Sequence, residues 1–157
     1  MNSLNRLLLL GLTTLLCIVY AWMLRPMPQD PAYHLFADQQ RAAGIANFGN
    51  VVSNLPFLFV GIYGVWLLIK CYAARRIKMV YGVMFTGIFL TGIGSAYYHY
   101  APDNNSLVFD RLPMVLVFMA FFSAAIMGWI NAKAVSYCFC LYCYWELQVC
   151  CGGIILS

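Results

Sequence analysis

Ser95 and His99 stand four residues apart in the run TGIGSAYYHYAPDNNSLVFDRLP, and Asp110 follows eleven residues after the histidine. On a helix the i, i+4 pair lies on one face, one turn apart. Pro102, Asn104 and Asn105 mark a short turn after it, so an antiparallel helical hairpin would bring the three side chains to one depth. A neutral imidazole is a metal ligand, and a nearby carboxylate orients it or positions a metal-bound water. A hydroxyl at that distance holds an oxyanion or a substrate carbonyl. The same spacing also suits plain structure. In that case His99 caps its helix end, Asp110 N-caps the next helix and pairs with Arg111, and Ser95 bonds back to Thr91. Spacing alone leaves both readings open, because S-x-x-x-H recurs by chance in many helices.

The elements that must position these residues are membrane helices. Of the 157 residues 64% are hydrophobic and 9% charged, with a mean hydropathy of +0.80, against about 25% charged in an ordinary soluble domain. That excludes a water-soluble monomer, and backbone groups at membrane depth need internal partners, which calls for helices. Uncharged stretches run over 7–24, 42–69, 79–102, 112–132 and 134–145. With roughly 20 residues needed per span, spans are expected at 7–24, 51–69, 79–99 and 112–131, with a fifth from Ala134 onward.

The chain therefore reads as an all-α, polytopic integral membrane bundle of about five spans. Its parts are an anchor helix over 1–25, an interfacial polar and aromatic segment over 26–50, three membrane helices over 51–133, and a Cys-rich apolar tail over 134–157. The first stretch is read as uncleaved, since its apolar run exceeds that of a secretory signal and no small-x-small site precedes Arg25.

Nine basic and five acidic residues give a net charge of +4 without any run suited to nucleic acid. The charges instead report topology. Lys70, Arg75, Arg76 and Lys78 crowd one short loop, and Arg6 and Lys133 fall on its side, which is expected to be cytoplasmic. The opposite side holds four of the five carboxylates, so polar chemistry concentrates on the outer half. There the 26–50 segment breaks at Pro26, Pro28 and Pro31 and continues as YHLFADQQRAAGIANF. It is expected to lie on the membrane surface or fold over the bundle mouth. His34 and Asp38, at i and i+4, are candidate site residues or merely solvated ones.

Three runs in order, NFGNVVSNLPFL, GIGSAYYHYAPDN and FDRLPM, resemble the bacterial branch of the alkaline ceramidase-like proteins, within the CREST superfamily of membrane hydrolases and seven-helix receptors. The resemblance covers about residues 30–130. It implies a seven-helix core, of which 51–131 form the first three helices behind one extra N-terminal helix, in a bacterial inner membrane. It also implies a zinc ion held by three histidines, with His99 as one ligand, Ser95 as the oxyanion donor, Asp110 orienting or deprotonating the water, and a ceramide-like lipid amide as substrate.

Two departures stand out. The H-x-x-x-H pair expected to complete the zinc site is absent, since the only histidines are His34 and His99, so the chain reads as an incomplete and inactive member. The calcium-binding acidic cluster expected before the first core helix is reduced to Asp38, with Asn47 where an acid would stand, so neither calcium binding nor a supporting role is secured for His34, Asp38 or Asn47. Five of the seven cysteines fall within 138–151 in an apolar setting that suits neither zinc nor disulfides, and a broken reading frame near Ser136 accounts for both the cysteines and the missing pair. The alternative function is a non-enzymatic receptor-like or structural helix bundle.

Overall fold

The structure is a computed structural model that describes residues 3–23 and 29–129. Its elements are α1 (Ser3–Met23), a 3-10 turn (Pro31–His34), α2 (Phe48–Val52), α3 (Leu55–Lys70), α4 (Arg75–Tyr100) and α5 (Asn104–Trp129). The described residues contain no strand, only one isolated bridge between Ala42 and Ile45, so the all-α expectation holds. The fifth span expected from Ala134 lies outside the described residues.

Three helical stretches are long and apolar enough to cross a membrane: Phe48–Lys70, Arg75–Tyr100 and Asn104–Gly128. In α1, a helix of 21 residues, the apolar run Leu4–Cys17 is shorter, so the described residues supply three to four such helices. The 112–131 span also begins earlier than the charge pattern suggested, at Asn104. Cutting at Asp110 and Arg111 misplaced that boundary, because a helix tolerates charges in its first turns when they lie at the membrane edge.

Glycines set how closely the helices pack. A methyl group at Gly61 or Gly64 of α3 would collide with Phe89 or Phe85 of α4, and one at Gly92 of α4 with Leu58 of α3. On the other side of α4, Gly87 meets Val117 and Gly94 meets the backbone carbonyl of Phe109 on α5. The last contact has a sequence cause. Pro113 lies inside α5 and has no N–H to donate to the carbonyl four residues back, which is that of Phe109. The freed carbonyl faces Gly94, where the missing side chain lets the two backbones touch.

α1 joins this layer at the opposite end, where Leu10 packs against Val80 of α4 and Ile126 of α5. The end carrying Tyr100 and Asn104 is called the mouth below, and the end carrying the α3–α4 turn the basic end.

Candidate functional site

At the mouth, the turn between α4 and α5 is closed by a reciprocal cap. The Ser106 backbone N–H donates to Asp103 Oδ1 at 2.5 Å, and the Asp103 N–H donates to Ser106 Oγ at 3.0 Å. Ser106 Oγ in turn donates to the Ala101 carbonyl at 2.6 Å and is 1% exposed. The Ser106 backbone N–H holds the Asp103 carboxyl below its ordinary value. The capping role considered for Asp110 therefore belongs to Asp103, the residue that precedes the first turn of α5.

Arg111 likewise does not serve Asp110. Its Nη2 donates to Gln29 Oε1 at 3.1 Å and its guanidinium lies 5.5 Å over the Tyr33 ring. One turn before Ser95, Thr91 Oγ1 donates to the Gly87 carbonyl at 2.8 Å. Both structural alternatives for Asp110, the cap and the Arg111 pair, are thus taken up by other residues.

Ser95 is buried and follows Gly94, whose missing Cβ position lies 3.2 Å from the Asp110 backbone nitrogen. The Gly94 contact therefore sets Ser95 and Asp110 at one level of the hairpin. Asp110 on α5 shares this end of the hairpin with Tyr98 and His99, which end α4. His99 is partly buried, and its Nδ1 is enclosed without a hydrogen-bond partner. Buried polar nitrogens nearly always have partners, so this one marks an available donor or lone pair.

The segment 29–47 folds over this mouth. Asp30 caps the 3-10 turn by accepting from the Ala32 N–H at 2.9 Å. That turn delivers His34, whose Nδ1 lies 3.0 Å from the Tyr98 hydroxyl and whose Nε2 lies 3.0 Å from Asn104 Oδ1. With the Asn104 oxygen accepting, Nε2 carries the proton and Tyr98 donates to Nδ1. His34 thereby clasps the end of α4 to the start of α5, with both its nitrogens engaged. Two residues on, Phe36 packs its ring against His99 at 4.7 Å and Tyr98 at 5.4 Å between centroids.

Asp38 and Asn47 complete the strap from below. Asp38 accepts from the backbone N–H of Gln40 at 3.1 Å and of Asn50 at 3.3 Å, holding the start of α2. The chain reverses at 42–45, where Ala43 (φ 51°) and Gly44 (φ 79°) both adopt positive φ, as a type I′ turn requires. Asn47, itself at φ 49°, donates from Nδ2 to the His99 carbonyl at 2.8 Å. Asparagine is among the few residues that accept this backbone conformation readily.

Of the sequence candidates, Ser95, His99 and Asp110 belong to the mouth itself, His34 and Asn47 bind its rim, and Asp38 builds the strap. Tyr98 was missed. It is 3% exposed, whereas its neighbours Tyr97 and Tyr100 are 50% and 54% exposed. The signal was present in its spacing, since Thr91, Ser95 and Tyr98 share one helical face. Phe36 was assigned to the interface and instead packs on His99, a contact that spans 63 positions of sequence.

A family model described as Ceramidase matches residues 38–152. The Dictyostelium discoideum protein named "Putative alkaline ceramidase dcd3A" is 29% identical over 83 residues, an alignment covering 45% of this chain and 29% of that protein. No solved structure matches. The matched region takes in the strap from Asp38, α2 to α5 and every candidate of the mouth except His34. The chain belongs to the Ceramidase family.

Proposed function

We propose that the mouth forms one wall of a site that hydrolyses the amide bond of a ceramide-like lipid, with His99 as a zinc ligand. The observation that carries this reading is the enclosed, unpartnered Nδ1 of His99, held beneath Phe36 on the same hairpin end as Ser95 and Asp110. The family and the name of the relative supply the substrate class.

Zinc fits these residues at one position only. The His99 nitrogen is free to bind it, whereas both His34 nitrogens are taken and no three His, Cys, Asp or Glu among the described residues gather into a metal group. When bound, zinc supplies a water whose pKa falls to about 7. The chain's own groups do the rest. Asp110 accepts the proton of the attacking water and returns it to the leaving amine. The Ser95 hydroxyl donates to the carbonyl oxygen as it gains charge. The surrounding apolar helices keep other water out and strengthen both interactions.

A catalytic zinc usually takes three protein ligands, and the 157 residues contain two histidines. We therefore expect this chain by itself to bind zinc weakly and to leave ceramide uncleaved. The same ligand count supports the second reading, a non-enzymatic receptor-like or structural helix bundle. Neither reading draws on calcium: Asp38 accepts two backbone N–H groups, and Asn47 stands where a second acid would be needed. The charge distribution supports an orientation with the basic end in the cytoplasm and the mouth outside.

Purified in detergent, the chain is expected to bind a fluorescent ceramide without turnover. Removing the polar groups with Ser95→Ala and Asp110→Asn together should weaken binding about tenfold, the effect of losing one to two hydrogen bonds. Binding indifferent to both substitutions would leave these residues with helix packing alone. Turnover abolished by His99→Ala would show that the chain completes the site after all.

A further inference from the structure

We infer that Asn47 and Phe36 are positioning residues for His99, the first fixing its backbone and the second its ring. The inference rests on reading His99 as the residue that meets the ligand.

His99 is the second-last residue of α4, where a helix frays because its final four carbonyls find no N–H within the helix. The Tyr97 carbonyl is taken by the Ala101 N–H at 3.0 Å. That of His99 is taken by Asn47 Nδ2 at 2.8 Å, across 52 positions of sequence. Asn47 thus caps the end of α4 from another segment.

This use of the amide is made possible by a substitution of roles in the strap. Asn47 stands at the N-cap of α2, a position whose side chain ordinarily accepts from the N–H two or three residues on. It makes no such bond. Asp38 makes it instead, accepting the Asn50 N–H with Oδ2 at 3.3 Å, and Gly49 leaves the room, since a Cβ there would lie 2.7 Å from that oxygen. With α2 capped by Asp38, the Asn47 side chain is free to turn to α4. Position 47 then needs a left-handed backbone, at φ 49°, together with an N–H donor on a short side chain. Glycine supplies the first without the second, ionised aspartate accepts the backbone but cannot donate, and glutamine donates but resists positive φ. Asparagine meets both needs.

The ring is held differently. Its Nδ1 has no hydrogen-bond partner to orient it, and Phe36 lies against it at 4.7 Å between centroids and 61° between planes, an edge-to-face contact. A ligand-binding imidazole has to be held within about 0.5 Å and 10–20° of its working pose. The Asn47 bond and the Phe36 ring are the two restraints that serve this on His99.

The test labels histidine with 13C in the full chain in detergent and follows amide exchange at the end and the middle of α4. With two histidines in the chain, each ring gives its own line, and the one lost in His99→Ala belongs to His99. Asn47→Gly and Asn47→Asp should each speed exchange at Tyr100 and Ala101 about fivefold, the worth of one hydrogen bond, and leave the middle of α4 unchanged. Phe36→Leu should move the His99 line by removing an aromatic ring current. Gly64→Ala, which loosens the α3–α4 seam, controls for lost stability and should change neither the His99 line nor exchange at Ala101. Exchange raised equally along α4, or an Asn47→Gly variant that behaves as wild type, overturns the backbone role, since it reduces Asn47 to general stability or to its φ. A His99 line unmoved by Phe36→Leu overturns the ring role. None of these readouts uses zinc. Zinc that leaves the His99 line in place would count against the zinc reading alone, while the positioning of His99 is decided by the variants.

Discussion

The mouth and the opposite half of the same helices are held by different forces. At the mouth, His34, Tyr98, Asn104, Asn47 and the His99 carbonyl make directional bonds between segments far apart in sequence, and Asp103 with Ser106 locks the turn locally. Toward the basic end, the contacts are those of Gly64 with the Phe85 ring, of Gly61 with the Cβ and backbone of Phe89, and of Leu10, Val80 and Ile126 with one another. Packing contacts permit small sliding, whereas a hydrogen bond between buried groups permits little. The difference teaches where this bundle needs fixed geometry: around His99, Ser95 and Asp110, and not around the helices as such.

The largest effect should come where the two kinds of contact meet. A methyl at Gly94 runs into the Phe109 carbonyl, which is backbone and cannot move without parting α4 from α5, whereas one at Gly64 meets the Phe85 ring, which can turn aside. Gly94→Ala is expected to destabilise the folded chain by about 3 kcal/mol and Gly64→Ala by about 1 kcal/mol, read from unfolding curves in mixed detergent micelles. Equal losses would mean that the seam at the mouth is no more rigid than the other.

The clasp comes next. His34→Ala removes both bonds of the ring and leaves the Tyr98 hydroxyl buried without its partner, at a cost of about 2 kcal/mol. Tyr98→Phe in the His34→Ala background should then add less than about 0.5 kcal/mol, because the partner is already gone. Fully additive losses would show that the two side chains act separately.

Much of this was legible in the sequence, and the part that was not has physical reasons. Helix class and membrane character follow from composition, and the S-x-x-x-H spacing picked out the face that is buried at the mouth. Helix boundaries were less legible, because charge was used to cut the spans and α5 carries Asp110 and Arg111 in its second turn. In the sequence Gly94 and Pro113 are separate features, one a small residue suited to close helix packing and the other a proline within a span. Only three-dimensional juxtaposition shows that the carbonyl freed by one is met by the other. The same holds for Phe36 and Tyr98, whose side-chain types fit a lipid interface as well as a buried lid.

The smallest effect concerns pH and belongs to the cap. The Ser106 N–H stabilises the charged form of Asp103, so the folded carboxyl titrates below its ordinary value of 3.8. Its stabilising contribution is therefore complete above about pH 4 and is lost as pH falls through the lowered folded value. The melting temperature of the wild type in detergent should decline more than that of Asp103→Asn between about pH 4 and pH 2. Parallel declines would mean that the cap contributes nothing that depends on charge.

The most direct measurement is equilibrium zinc binding to the full chain in detergent, with the five tail cysteines Cys138, Cys140, Cys143, Cys150 and Cys151 replaced by serine to silence thiol sites. The account predicts weak binding that His99→Ala abolishes and that His34→Ala leaves unchanged or strengthens, since the clasp and the Phe36 lid stand between solvent and the His99 nitrogen. Tight one-to-one binding that requires His34 as much as His99, or weak binding indifferent to His99→Ala, would contradict it.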